Sequence, residues 1–224
     1  MPGGVITGKS PAFLIGVAIA TFVGFFAIAR LLPILGASDQ GVALRMVVQI
    51  AAAIGLLVVL TKALGVSPAP LGLQPFRFSA LGWGLLCLLA SFVLSATTLL
   101  IAGRFGYQQN PAVMAALAAR PVWLLLLIAA GAGIAEEVVF RSVLLSHIEA
   151  LTKNTYVGAG VSLAVFSLAH AAGWGFSQVI FAAMPGLALT LFFVWKRNLL
   201  VCIIAHFLTD AFGLLSAAML LRHH

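Results

Sequence analysis

Apolar runs long enough to cross a lipid bilayer recur seven times along this sequence, at approximately 11–32, 41–61, 79–102, 121–150, 155–172, 177–196 and 198–221. A spanning helix needs about 20 such residues, and lipid offers no partner to a backbone N–H or C=O, so each run must satisfy its own backbone as a helix. The fold class that follows is all-α: a polytopic transmembrane bundle of about seven spans, within a range of six to eight. Composition agrees. Of 224 residues 63% are hydrophobic and 8% charged, against about 25% charged in soluble domains. No stretch is large and polar enough to form a separate soluble domain, so 1–224 reads as a single membrane-embedded domain. The breaks "LPILGASDQG", "GVSPAPLGLQPFRFS", "GRFGYQQNP", "TKNT", "AAGWGFS" and "KRN" carry the turn chemistry expected between helices.

The formal charge is +7, but the basic residues stand singly at the ends of apolar runs. That excludes a nucleic-acid surface and leaves contacts with lipid head groups. Lys9, Lys62, Arg77, Lys153, Lys196 and Arg197 fall on one side, and Arg30, Arg45, Arg104, Arg120 and Arg222 on the other, a slight lean towards a cytoplasmic N-terminus. Lys9, the first apolar run and "AIA" have the order of a signal peptide. The run is long and Arg30 follows directly, so a retained first helix is expected. Trp83, Trp123, Trp174 and Trp195 lie near predicted span ends, as an interfacial belt requires. "PAVMAALAARP" reads as an interfacial helix or an extension of the fourth span, and Pro185 as a kink in the sixth. Cys87 and Cys202 read as buried free thiols. No internal repeat marks an inverted-repeat transporter. The terminal His223 and His224 are set apart from the chemistry.

Only five acidic residues occur: Asp39, Glu136, Glu137, Glu149 and Asp210. Three of them lie within predicted spans. "AEEVVFR" puts Glu136, Glu137 and Arg141 in the fourth, at an insertion cost of roughly 8–10 kcal/mol before pairing. Glu137 and Arg141 are spaced i,i+4 on one helix face and suit each other as a supporting pair. Glu136 points about 100° away and is left for chemistry. The plain alternative is that all three merely hold helices together. "FSLAH" places Phe166 one turn before His170 in the fifth span, and "HFLTD" places His206 one turn before Asp210 in the seventh. A lone intramembrane histidine is often a packing residue, but two on different helices with an acid beside one suggest a site. His147, Glu149 and Lys153, near a helix end, read as interfacial. No GxSxG occurs.

If the fourth, fifth and seventh spans pack together, Glu136, His170, His206 and Asp210 converge on one polar pocket. Glu136 could take a proton from water with His170 orienting it, and His206 could donate to an oxyanion. Asp210 could fix the His206 tautomer or donate itself. The same residues permit a zinc site through Glu136, His170 and His206 with water in the open position, although HExxH is absent.

"EEVVFR", "FSLAH" and "HFLTD" match EExxxR, FxxxH and HxxxN/D in that order. On these motifs the chain resembles the CPBP family, the CAAX proteases and bacteriocin-processing proteins also called Abi or Rce1-like. The resemblance covers roughly Pro121 to Leu221, dividing the chain into N-terminal spans at 1–120 and a CPBP-like catalytic core at 121–221. "LGLQPFR" is similar to a loop segment of bacterial members. The resemblance implies intramembrane peptide hydrolysis of glutamic type, without a metal cofactor. Glu136 and His170 would activate water, His206 and Asp210 would form the oxyanion side, and Glu137, Arg141 and Phe166 would support them. CAAX-cleaving members have Asn where this chain has Asp210. An ionised aspartate repels an oxyanion, which weakens the inference to a CAAX substrate.

The expected partners are membrane lipid and a membrane-associated peptide or protein tail, in a multi-pass protein of a prokaryotic cytoplasmic membrane. The rival reading is a non-hydrolytic membrane protein, either a proton-coupled transporter or a bacteriocin-immunity factor, since buried Glu and His also serve proton relays.

Overall fold

The structure is a computed structural model and describes residues 5–222; His223 and His224 lie outside them. The described residues contain helices and no strand. Seven helices are long and apolar enough to cross a membrane. The first is Pro11–Leu31. The next five are Asp39–Ala63, Ser79–Arg104, Val122–Thr152, Thr155–Trp174 and Gln178–Lys196, and the seventh is Leu199–Arg222. They match the seven apolar runs within a few residues. This is a multi-pass helical membrane protein. Seven crossings place the two ends of the chain at opposite faces of the bundle, called here the N-terminal and C-terminal faces.

The fourth span is the axis of the bundle. At 31 residues it is the longest and the most buried of the seven, about 45 Å at 1.5 Å per residue. The first, second, fifth and seventh spans pack directly on it, and the third closes against the sixth and seventh. The segment at 111–121 resolves into a separate short helix, Pro111–Ala118, that packs on the seventh span. Asn110 caps it, its side-chain oxygen accepting from the N–H groups of Ala112 and Val113. Asn154 caps the fifth span in the same way. Cys87 and Cys202 are free and buried, on the third and seventh spans. Trp83 and Trp195 meet at the N-terminal face, where the Lys196 ammonium lies 3.2 Å and 3.4 Å from their ring centroids.

His147 and Glu149, near the end of the fourth span, do not stand open to their surroundings; both are covered by the bundle, at 1% and 3% exposure. Glu149 accepts from Arg197 through both carboxylate oxygens, at 2.5 Å and 2.6 Å, and from the Thr155 hydroxyl at 2.5 Å. Arg197 occupies the turn between the sixth and seventh spans with φ +46, a conformation uncommon for a non-glycine residue. A helix end carrying three polar residues resembles an interface in sequence, and only the partner 48 positions away turns it into a buried bolt.

The connection between the second and third spans folds inward. Val66 and Leu71 are buried. Ser142 and Ser146 of the fourth span donate to the carbonyls of Leu71 and Pro70, each at 2.7 Å, and Leu199 N–H donates to Gly72 O at 2.8 Å. Gly72 has φ +75, and a Cβ there would lie 2.6 Å from the Phe193 ring. Only glycine satisfies both conditions.

Replacing Glu149 by Gln leaves the Arg197 guanidinium buried without its counter-charge. The expected loss is about 3–5 kcal/mol, read as a lowered unfolding midpoint of the purified protein in detergent. An unchanged midpoint would mean that this pair holds nothing together.

Candidate functional site

The middle of the fourth span is a widened helix. Glu137–Leu145 closes i→i+5, a π-helix of nine residues, all of them buried. Such stretches occur mostly at functional sites. It begins at the second of the two adjacent glutamates, and the two acids turn to different neighbours. Glu136 faces the fifth span and Glu137 the seventh.

Glu137 and Arg141, both 0% exposed, pair at 2.8 Å. The other Arg141 contacts come from two more spans. Its Nη2 donates to Gly186 O in the sixth at 3.2 Å, and its guanidinium carbon lies 4.0 Å from the Phe166 ring centroid in the fifth. A Cβ at Gly186 would lie 2.7 Å from that ring, so the missing side chain lets the sixth span close over Phe166. Pro185, one residue earlier, stands inside this helix. It cannot donate a backbone hydrogen bond, and the guanidinium docks at the carbonyl that follows.

The same Glu137 oxygen also accepts from His206 Nδ1 at 2.7 Å. Close approach of the seventh span allows this, since a Cβ at Gly133 would lie 3.0 Å from the Phe207 nitrogen. His206 Nε2 then faces Asp210 Oδ2 at 3.5 Å. From the sequence Asp210 could fix the His206 tautomer or donate itself; in the structure Glu137 accepts the hydrogen bond from Nδ1, and Asp210 flanks the other nitrogen.

His170 Nδ1 donates to Phe166 O at 2.9 Å. A carbonyl can only accept, so Nε2 is the nitrogen left with a free lone pair. It points at Glu136 Oε2, 3.8 Å away. That oxygen is buried and has no hydrogen-bond partner among the described residues. Phe166 lies between the two histidines, with ring centroids 4.7 Å from His170 and 6.2 Å from His206.

All seven residues singled out in the three motifs therefore belong to one cluster: Glu136, Glu137, Arg141, Phe166, His170, His206 and Asp210. It lies inside the helical spans, His206 being seven residues or about 10 Å from the start of its helix. Exposure grades across it. Glu137 and Arg141 are sealed, while Glu136, His170 and Asp210 expose 20%, 19% and 34% of their side chains. Gly186, Gly133 and the serines holding the inward loop were not found from the sequence. A glycine or serine in a membrane helix gives no sign of which neighbour it meets.

For zinc, Glu136, His170 and His206 would have to share one ion. Among the described residues no three His, Cys, Asp or Glu side chains form a group that could hold one.

Residues 118–212 match a family model described as type II CAAX prenyl endopeptidase Rce1-like. Neither the curated proteins nor the solved structures contain a match to the chain.

Replacing Glu137 by Ala should cost about 3–5 kcal/mol, because it removes the one carboxylate shared by Arg141 and His206. The Glu137→Ala, Arg141→Met double variant should regain much of that loss. Unfolding midpoints of the two proteins in detergent provide the comparison.

Proposed function

We propose, for a chain whose residues 118–212 belong to the Rce1-like family, an intramembrane endopeptidase that uses Glu136 and His170 to activate water. The observation that carries this reading is the facing pair of acceptors, Glu136 Oε2 and His170 Nε2, 3.8 Å apart. Neither can donate to the other, and a single water donating one hydrogen to each satisfies both. Held so, the water turns an oxygen lone pair towards a carbonyl carbon arriving from the exposed side of the cluster.

The steps follow from the residues. Water oxygen attacks the amide carbon while Glu136 takes its proton. The carbonyl oxygen gains negative charge, and His206 Nε2–H donates to it. His206 does so as the imidazolium, with Nδ1–H held by Glu137 and Nε2–H on the side of Asp210. The C–N bond then breaks and Glu136 returns the proton to the leaving nitrogen, giving a new carboxylic acid and a new amine; the acid passes its proton to the amine as the products separate. Asp210 balances the charge on His206. Glu137, Arg141 and Phe166 hold the two histidines and touch no substrate. No step is routed through a metal, in keeping with the lone pair already directed at Glu136 from His170. The substrate is a membrane-associated peptide or protein tail, and the setting a prokaryotic cytoplasmic membrane.

Glu136→Gln is expected to lower cleavage by about 10²–10⁴-fold with no change in the unfolding midpoint, since Glu136 holds no other residue in place. His206→Ala should cost about 10²–10³-fold. Membrane-protein termini compared between cells carrying the wild type and Glu136→Gln would test both the activity and its substrates. Termini that vanish in the variant support hydrolysis; identical sets in a native host would overturn it and favour a transport or immunity role. Wild-type cleavage should also persist after exhaustive chelation, and a loss restored by zinc would replace the metal-free mechanism.

A further inference from the structure

At the C-terminal face the connection after the third span and the segment that follows the fifth span line a second feature. This is a cleft of about 590 Å³ lined by Tyr107, Gln108, Gln109, Asn110, Trp174 and Ser177 among others, none of them charged. It lies within the size range of ligand sites, about 300–1,000 Å³. Trp174 stands one helical turn beyond His170, its N–H donating to His170 O at 3.2 Å.

The chemistry of the walls is specific. Gln108 and Gln109 make no hydrogen bond to another described residue. Asn110 spends its side-chain oxygen on the helix cap, which leaves its amide N–H groups as donors. Tyr107 and Trp174 add aromatic faces. Uncharged donors and acceptors between flat rings suit a peptide backbone and suit neither a phosphate head group nor a hydrocarbon chain. The walls also differ in origin. Trp174 and Ser177 lie within the matched family segment, whereas residues 106–111 lie outside it.

We infer that this cleft binds the water-exposed flank of the substrate as an extended, neutral peptide, and so sets which membrane tails are cut at Glu136. The inference rests on the peptidase reading of the cluster. One helical turn is about 5.4 Å, and an extended chain covers that in about two residues at 3.3–3.6 Å each. The cleft therefore reads positions beginning about two residues from the scissile bond.

The test uses purified full-length protein in liposomes and synthetic peptides with one apolar segment. Each carries an uncharged polar flank, ranging from none to about six residues. Cleavage by the wild type should rise about tenfold as the flank lengthens and then level off. In Gln108→Ala, Gln109→Ala the rise should vanish, while the peptide without a flank is cut as before. Both glutamines are at the surface and unpaired, so this variant keeps the fold; Trp174→Ala is the second variant. In parallel, Phe176, 76% exposed beside the cleft, is replaced by a photoreactive phenylalanine analogue in a Glu136→Gln background. Labelling of the same peptides should follow flank length and fall in the glutamine variant. Labelling that ignores the flank and both substitutions overturns the cleft. Flank-dependent labelling by a wild-type protein that cuts no peptide upholds the cleft and overturns the peptidase reading instead.

Discussion

A guanidinium that cannot be deprotonated is sealed at the centre of this bundle, and four of the seven helices are positioned by what Arg141 requires. It sits in the fourth span, and its cost in the bilayer is met by a carboxylate on its own helix, a carbonyl from the sixth and an aromatic face from the fifth. The seventh joins through the same carboxylate by way of His206. Polar contacts of this kind decide which helices meet, because lipid gives helices no hydrophobic reason to associate.

The contacts divide the cluster into two groups. One is Glu137, His206 and Asp210, linked in a chain; the other is Glu136 and His170. Phe166 stands between the two histidines and keeps the groups apart. The first group is fastened to Arg141 and through it to the fifth and sixth spans, whereas Glu136 has no such tie, so the two neighbouring glutamates stand in different surroundings.

Much of this was legible in the sequence. The seven spans follow from hydropathy because bilayer thickness sets a minimum length, and their ends follow from the breaks that carry turn chemistry. The supporting Glu137–Arg141 pair follows from i,i+4 spacing, and the separate task of Glu136 from its angle on the helix. What escaped depends on distance between chains. The Glu149–Arg197 bolt, the hand-over of His206 from Asp210 to Glu137 and the inward loop at Leu71 and Gly72 all rest on partners remote in sequence. Spacing within one helix carries no trace of them. The family segment at residues 118–212 covers the cluster but not the first three spans or the loop that pins the fourth.

The widened stretch of the fourth span has a geometric consequence of its own. An α-helix advances about 100° per residue, whereas an i→i+5 helix advances only about 80°. Over nine residues the lag reaches about 180°. The two halves of this helix therefore keep different rotational phases, and one helical wheel drawn from Val122 to Thr152 puts the far half on nearly the wrong side. The phase slip turns Glu149 inward to meet Arg197, while the near half still offers Glu136 to the fifth span. A single continuous rod thus presents two faces that an unbroken α-helix of the same sequence would bring into a different alignment.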